Sequence, residues 1–216
     1  MRTIKAPEER RQEILDRAEE LFTTKGYGKT TIIDILDAVG IAKGTFYYYF
    51  KSKEEVMDAI IMRIVEADAA AARRIADDPG IPVLAKLLQI LMAQSAASGS
   101  NKERMIEQFH QLENAEMHQK SLVQSILHLG PVLGDVAEQG VREGLFRTEY
   151  PRETVELLLA SAQVLFDEGL FRWQPEEVER RATAFVRMIE QSLVAERGSF
   201  DFMLERLAGS SEGTDN

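Results

Sequence analysis

The sequence predicts an all-α fold, and three observations lead to this prediction. Apolar residues recur at intervals of three and four along most of the chain, which is the period of an amphipathic helix. Short breaks that contain Gly, Pro or Ser separate these stretches. No segment of the sequence shows the alternation of apolar and polar residues that is typical of a strand. The chain of 216 residues therefore divides into helices with short connections.

Local signals mark the ends of the first four helices. Pro7 suits the first turn of a helix, and Gly26 suits the end of that helix. Thr31 and Ser52 are each followed three residues later by an acidic residue, which is the pattern of a capping box. Gly40 suits the end of the helix that Thr31 opens. These signals predict helices at about residues 7–25, 31–40, 43–50 and 52–76.

The remainder of the chain follows the same pattern. Asp77-Asp78-Pro79-Gly80 ends the fourth helix, and Pro151 and Pro175 each begin a later one. Pro131 lies inside a predicted helix and is expected to kink it. The predicted helices occupy about residues 81–97, 101–116, 119–143, 151–170, 175–196 and 199–207. The small and polar tail, 208–216, is expected to be disordered.

The composition limits the class of protein. With 44% hydrophobic and 29% charged residues, the chain is apolar enough to fold around a core. It has no cysteine, which excludes disulfides and thiolate metal sites and suits a reducing compartment. The charged N-terminus lacks the apolar stretch of a signal peptide, and runs such as Leu87–Ala93 are too short to cross a bilayer. These features predict a soluble, cytoplasmic protein.

The charge is unevenly distributed along the chain. The formal net charge is −10, but residues 1–53 carry 10 Lys and Arg against 8 Asp and Glu, a net charge of +2. Residues 54–216 carry 16 against 28, a net charge of −12. A mildly basic head can approach phosphate while an acidic body is repelled, so this distribution favours one orientation on nucleic acid.

The head contains two short helices with the spacing of a helix-turn-helix. Val39-Gly40-Ile41-Ala42 joins them, and Gly40 supplies the backbone freedom that the turn requires. The apolar residues of this region can pack both helices on the first one; they are Ile32, Ile35, Leu36, Val39, Ile41, Phe46 and Phe50. The outer side of the second helix is then left with Lys43, Thr45, Tyr48 and Tyr49, whose amine and hydroxyls can contact phosphates and base edges.

The run GIAKGTFYYYFKSKEE, residues 40–55, resembles the signature of the TetR family of bacterial transcription factors. The resemblance covers about residues 8–60 and includes Gly26-Tyr27 and Thr31. It implies an N-terminal DNA-binding domain at 1–52 and a helical regulatory and dimerisation domain at 53–207. It also implies a recognition helix that contains Lys43, Gly44, Thr45, Tyr47, Tyr48 and Tyr49. Thr31 and Lys53 are expected to contact the DNA backbone.

Three positions depart from the pattern of the family. Leu36 and Val39 stand where small alanines are common, and this bulk can change the angle between the helices. Ala42 stands where a serine often contacts phosphate. The aromatic ring of Tyr47 has two equally good explanations, which are packing against Phe46 and Phe50 and contact with DNA, since Tyr47 lies near the face of these two phenylalanines. Tyr48 and Tyr49 cannot both share that face, so at least one of them points outward.

The two segments that begin at Pro151 and Pro175 are predicted to form the dimer interface. The first is apolar on nearly all sides, which requires burial on two faces. The resemblance implies that both helices pair with their copies in a four-helix arrangement, although a fully internal helix pair is the alternative. The expected interface residues are Val155, Leu158, Leu159, Ala162, Leu165, Phe166, Val178, Ala182, Phe185, Ile189 and Leu193.

The middle helices are predicted to enclose a pocket for a small-molecule effector. Methionine and aromatic side chains suit an adaptable apolar site, although such residues are more often plain core. The expected lining residues are Met92, Met105, Phe109, Met117, Leu127, Leu133 and Trp173. A metal site at Glu107, His110 and Glu113 or Asn114 is geometrically feasible, but solvated helix charges explain these residues better, so no metal or cofactor is predicted.

Together these features predict a homodimeric DNA-binding regulator. We expect a repressor that binds a palindromic operator and is released by a small-molecule effector, with no role for a membrane. A tilt of the long helix near 53–76 would change the spacing of the recognition helices. An activator or a ligand-independent regulator is the alternative, and a helical module that binds protein is a weaker one. The sequence has no nucleophile with a credible base, phosphate-binding loop or dinucleotide fingerprint, so no enzyme is predicted.

Overall fold

A computed structural model of the chain describes residues 6–94, 104–105, 115–167 and 169–204. Within these residues all the regular structure is helical, so the predicted all-α class is confirmed. The helices are α1 (Pro7–Lys25), α2 (Ile32–Val39), α3 (Lys43–Tyr49), α4 (Lys53–Asp77), α5 (Val83–Gln94), α6 (Ala115–Arg142), α7 (Pro151–Leu165) and α8 (Pro175–Leu193). A further helical turn lies at 201–204. No helix in the described ranges is long and apolar enough to span a membrane.

The described residues group into two compact units. Unit 1 contains residues 6–66, 104–105 and 115–121, and unit 2 contains residues 67–94, 122–167 and 169–204. The division falls within α4 after Glu66 and within α6 after Ser121. The predicted domains, 1–52 and 53–207, are assigned by function rather than by compactness, and they stay a prediction. The predicted tail, 208–216, lies outside the described residues.

The first four helices begin and end where the local signals predict. Pro7 is the first residue of α1. At the start of α2, the Asp34 backbone N–H donates to the Thr31 hydroxyl at 3.2 Å, and the Thr31 N–H donates to the Asp34 carboxylate at 2.8 Å. Gly40 ends α2 in the left-handed conformation, with φ of 71°, which glycine adopts without strain. The Ser52 hydroxyl accepts from the Glu55 N–H at 3.2 Å and caps α4.

Three predicted helix ends are wrong. The chain does not break near Met117, because α6 begins at Ala115 and continues through Pro131. Helix α7 stops at Leu165 rather than at residue 170, and the Trp173 indole N–H donates to the Leu165 carbonyl at 2.9 Å. Helix α8 stops at Leu193, where Val194 adopts a left-handed φ of 51°. The predicted helices over 81–97 and 101–116 extend partly beyond the described residues.

Unit 1 has its own apolar core, which holds the helix-turn-helix on α1 and α4. Phe46 of α3 and Phe50, the residue that follows α3, enter this core with ring centroids 6.1 Å apart. Arg63 of α4 pairs with Asp16 of α1 at 2.6 Å and with Glu19. The buried core residues are Ile14, Leu15, Ala18, Phe22, Tyr27, Ile35, Phe46, Phe50, Val56, Met57, Ile60, Ile61, Val65 and Met105. This core fixes which side of α3 remains available to a partner.

Unit 2 is held by close packing around α6. A Cβ added to Gly140 would lie 2.3 Å from the Phe146 ring, so only glycine lets this ring lie against the helix. Phe146 stacks in turn on Phe200, with centroids 6.1 Å apart. The buried Glu190 carboxylate accepts from the Gly198 N–H at 2.7 Å and from the Phe200 N–H at 3.3 Å. These contacts fix the segment that follows α8 on the core of unit 2.

Candidate nucleic-acid interface

Helix α3 has one buried side and one side that no other described element covers. Phe46 and Phe50 are buried and define the inner side. Successive residues of a helix are rotated by about 100°, so Gly44 and Tyr48 lie almost opposite the two phenylalanines. Both are exposed, and Tyr48 has 76% of its surface accessible, the largest fraction among the exposed large apolar side chains of the described residues. Gly44 and Tyr48 therefore form the outermost stripe of α3.

The flanks of this stripe carry the other predicted contacts. Lys43 is exposed, and its Nζ lies 5.8 Å from the centroid of the Tyr47 ring. Tyr47 packs edge-on against Phe46 at 5.5 Å and still exposes 45% of its surface, so it contacts the core and faces outward at once. Thr45 and Tyr49 are half-buried. The sequence is compatible with either core packing or DNA contact for Tyr47, and the position of its side chain allows both.

Gly44 has open space around it. A Cβ built at this position meets no heavy atom within 4 Å beyond its neighbours and the local helix backbone. Glycine is therefore not required here by the packing of the protein itself. The absence of a side chain allows another molecule to approach the α3 backbone closely, as expected from the sequence.

Thr31 is exposed at the N-terminus of α2, and its hydroxyl is engaged in the capping box. It donates to the Asp34 carboxylate at 2.8 Å and accepts from the Asp34 N–H. The same carboxylate pairs with Lys25 at 2.6 Å, and the hydrogen bond from Lys25 is the largest of the effects that lower the pKa of Asp34 to about 2. The box fixes the orientation of the first turn of α2, where a phosphate contact is predicted.

Lys53 is bound more tightly within unit 1 than the sequence predicts. Its Nζ donates to the carbonyls of Tyr27 and Thr30 at 2.8 and 2.9 Å, and it lies 4.1 Å from the centroid of the Tyr27 ring. Burial lowers its pKa, against a smaller opposite effect of Glu54. Two of the three ammonium hydrogens are thus used by the turn between α1 and α2. The predicted phosphate contact depends on the third.

Two lysines near the helix-turn-helix were not singled out from the sequence. Lys29 precedes α2, Lys51 follows α3, and both are exposed. Like Lys43, neither has a carboxylate within salt-bridge distance in the described part of the chain. Unpaired cations on a protein with a net charge of −10 are candidates for phosphate contact. Their position at the ends of α2 and α3 is the signal that points to them.

The residues predicted to line the effector pocket are divided between the two units or lie outside the described residues. Met105 is buried in the core of unit 1 and Met117 packs against that core, whereas Leu133 is buried in unit 2. Leu127 is 60% exposed, and Trp173 stacks on Phe171 at 5.0 Å. Phe109, like His110, and the side chain of Met92 lie outside the described residues. Of the predicted lining residues that the structure describes, only Leu133 lines the small apolar cavity of about 40 Å³ in unit 2. The other residues around this cavity include Leu91, Leu159, Phe185 and Phe200.

The residues predicted for the dimer interface fall into two groups. Five are buried within the chain and have almost no surface left for a partner, which corrects their assignment: Val155, Leu159, Ala182, Ile189 and Leu193. Val178 is exposed, and five others keep part of their surface: Leu158, Ala162, Leu165, Phe166 and Phe185. Leu157, Val164 and Met188, which are not among the expected interface residues, are 70%, 44% and 39% exposed. Leu157 and Val164 lie two helical turns apart on one side of α7.

Two family models match the sequence. Residues 14–60 match the model described as "Bacterial regulatory proteins, tetR family", and residues 96–188 match "Tetracyclin repressor-like, C-terminal domain". The first match contains α2, α3 and the outward stripe of α3. The second begins within the chain before Met105, so it includes residues that pack in the core of unit 1.

Curated relatives are regulators of transcription. The chain is 28% identical over 152 residues to the HTH-type transcriptional repressor KstR2 of Mycobacterium tuberculosis, which covers 65% of this chain and 70% of that protein. It is 28% identical over 91 residues to the HTH-type transcriptional regulator TtgR of Pseudomonas putida, which covers 42% and 43% of the two chains.

Solved structures share the fold. A regulator of the TetR/AcrR family from Thermobifida fusca matches with a TM-score of 0.56 and 22% identity, covering 96% of this chain and 99% of that one. SmeT of Stenotrophomonas maltophilia matches with a TM-score of 0.55 and 20% identity, covering 88% and 92%. With the two family models, these matches account for the helix-turn-helix and for the helical region that follows it. The chain belongs to the TetR family, and it is a DNA-binding transcriptional regulator.

Proposed function

We propose that the protein is a repressor that binds a palindromic operator as a homodimer and leaves it when a small apolar effector binds. The observation that carries this proposal is the uncovered outer side of α3, where Gly44 and Tyr48 are exposed and serve no core. The printed names of the relatives add support, because KstR2 is a transcriptional repressor. An activator or a ligand-independent regulator of the same fold is the alternative.

The DNA contacts of this proposal divide into two kinds. Thr45, Tyr47, Tyr48 and Tyr49 contact base edges or the adjacent backbone, and Gly44 lets α3 approach. Contacts to phosphate come from Thr31, Lys43 and Lys53, to which the exposed Lys29 and Lys51 are added. Loss of a phosphate contact weakens binding to all sequences and flattens the dependence on salt, whereas loss of a base contact changes the preferred sequence.

A matched pair of variants tests this division. Lys51→Ala is expected to weaken binding to operator and to random duplex alike, and to reduce the slope of log K against log salt concentration by about one. Thr45→Ala is expected to change the bases selected from a random duplex pool. Equal losses on operator and random duplex for both variants would contradict the assigned roles.

The homodimer of this proposal uses the exposed apolar side chains of α7 and α8. The inner side of α7 is buried, and Leu157 and Val164 are exposed on another side of this helix. This second apolar side is a candidate for burial against a partner. Val178 and Met188 are exposed apolar side chains on α8. A second copy of the chain covers these residues, and the symmetric pair presents two α3 helices to the two halves of a palindrome.

A pair of leucine substitutions tests the interface. Leu157→Asp is expected to raise the dissociation constant of the dimer by 10-fold or more, because it places a charge in an apolar contact. Leu127→Asp is the control, since Leu127 is 60% exposed on α6 and has no part in the proposed interface. Analytical ultracentrifugation measures both. A dimer that is unaffected by Leu157→Asp, or equally weakened by both changes, would place the interface elsewhere.

Regulation in this proposal passes through residues that belong to the C-terminal family model but pack in unit 1. Met105 is fully buried in the core that carries α3, and Met117 packs on that core. The Lys120 ammonium lies 3.1 Å from the Asp58 carboxylate of α4 and 3.3 Å from Glu116. Hydrogen bonds to Asp58, and then to Glu116, raise the pKa of Lys120. An effector that moves the start of α6 therefore acts on α4 directly.

The effector itself is expected to open its site on binding. The apolar cavity of about 40 Å³ in unit 2 is far smaller than ligand pockets, which are roughly 300–1,000 Å³. The experiment is a screen of apolar small molecules by thermal unfolding, followed by titration of the operator complex with each ligand found. A coupling of about 1–3 kcal/mol lowers operator affinity about 5- to 150-fold. If ligands that bind tightly never change the operator affinity, release by an effector is contradicted, and the protein is a ligand-independent regulator.

A further inference from the structure

The chemistry of α3 restricts how it can read a base. Its sequence, KGTFYYY, contains no arginine, asparagine, glutamine or acidic residue. The bidentate contacts of Arg to guanine and of Asn or Gln to adenine are therefore not available from this helix. What α3 presents instead is one ammonium group, hydroxyls and aromatic rings. Readout by this helix must use a base-edge feature that such groups recognise.

Tyr48 is the residue of α3 best placed to reach a base edge. It lies opposite Phe46 and Phe50, and one helical turn before it Gly44 leaves room for the groove wall to approach. Its ring rests edge-on against Tyr49, with centroids 4.9 Å apart at an interplanar angle of 89°. Tyr49 in turn packs on the core of unit 1. The exposed ring is thus supported from behind, so less side-chain entropy is lost when it makes a contact.

We propose that Tyr48 reads the 5-methyl group of a thymine in each half of the operator. The inference rests on the proposed operator binding and names what this helix recognises there. The thymine methyl is the apolar group on the major-groove edge, and an exposed aromatic ring is complementary to it. Cytosine has no methyl group at this position, so the contact distinguishes the two pyrimidines.

The magnitude follows from the size of the group. Burial of one methyl-sized group is worth a factor of about 4 in affinity. Replacement of the contacted thymine by uracil removes only this methyl and leaves base pairing unchanged. We expect about a 4-fold loss of affinity for the substitution in one half-site and about a 15-fold loss for both.

The experiment starts from the duplex that the full-length protein selects from a random pool. Each thymine of that duplex is replaced by uracil in turn, and binding is measured for wild type, Tyr48→Ala and Tyr48→Phe. Wild type and Tyr48→Phe, which keeps the ring, are expected to lose affinity at one symmetric thymine pair. Tyr48→Ala is expected to bind the thymine and uracil duplexes equally. Tyr150→Ala is the control, because Tyr150 is 65% exposed and belongs to unit 2.

The outcomes separate this inference from the proposed function. If Tyr48→Ala still loses affinity on uracil, another group reads the methyl and the assignment to Tyr48 is overturned. If wild type binds its duplex as a dimer but tolerates uracil at every position, the methyl readout is overturned while the proposed function stands. If the protein selects no duplex, the proposed function itself fails. Thermal unfolding of each variant shows whether it is folded.

Discussion

Gly44→Ala separates what the protein needs in order to fold from what it needs in order to bind DNA. A methyl group at position 44 meets no heavy atom within 4 Å beyond its neighbours and the local helix backbone. The variant therefore causes no clash in the free protein. Alanine is also the better helix former, by about 0.5–1 kcal/mol within a helix. We expect the free energy of unfolding to be unchanged or raised by up to about 1 kcal/mol.

The expected effect on DNA binding has the opposite sign. The added methyl points outward on the stripe that contains Tyr48, so it keeps the α3 backbone from its closest approach to the groove. Loss of one base contact costs about 1–3 kcal/mol, which corresponds to a 5- to 150-fold higher dissociation constant per half-site. Fluorescence anisotropy with the selected operator measures this effect, and urea unfolding measures the stability.

A second glycine provides the control. Gly130 lies in α6, and a Cβ there comes within 3.1 Å of only the flexible Glu156 side chain. Gly130→Ala is expected to leave operator affinity unchanged. If Gly44→Ala binds the operator as wild type does, the α3 backbone does not approach DNA at this position. If it unfolds the protein, the free protein has no room for a methyl group at position 44.

Three further predictions concern the stability of the units. Gly140→Ala, with its Cβ 2.3 Å from the Phe146 ring, is expected to lower the free energy of unfolding by about 1–3 kcal/mol in a urea titration. Gly134→Ala places its Cβ 3.0 Å from the ion-paired Arg152 side chain, a longer contact, and is expected to cost less. The pKa of Asp34 is lowered to about 2 from its ordinary value of 3.8, so its charged form stabilises the fold above about pH 4. The difference in unfolding free energy between wild type and Asp34→Asn is therefore expected to shrink as the pH falls from about 4 to about 2. A difference that stays constant over this range would contradict the prediction. Glu190→Gln weakens charge-assisted hydrogen bonds to two backbone N–H groups and is expected to cost about 1.5–3 kcal/mol, with faster amide exchange at residues 198 and 200.

Local chemistry explains why the head could be predicted in detail from the sequence. The cap at Thr31, the left-handed Gly40 and the cap at Ser52 each depend on residues within three or four positions of one another. Such signals do not require knowledge of the rest of the fold. The position of Lys53 was less predictable, because its amine binds carbonyls 23 and 26 residues earlier in the chain.

The effector pocket could not be predicted in the same way. Met105 and Met117 are residue types that suit a pocket lining. However, Met105 is buried in the core of unit 1 and Met117 packs against that core, while Leu133 lies in the core of unit 2. Composition identifies side chains that suit an apolar site and gives no information on which apolar site they enter. That choice depends on tertiary packing, and the two candidate cores are chemically alike.

The three consecutive leucines of α7 show the same limit at the dimer interface. Leu159 is buried in unit 2, Leu158 is half-buried, and Leu157 is 70% exposed. The apolar period of a helix that is apolar nearly all round predicts two covered sides without distinguishing the core from the partner. Once Leu159 is assigned to the core, Leu157 lies about 200° around the helix and needs a different cover. Leu157, which is not among the expected interface residues, is therefore the residue on which the test of the dimer depends.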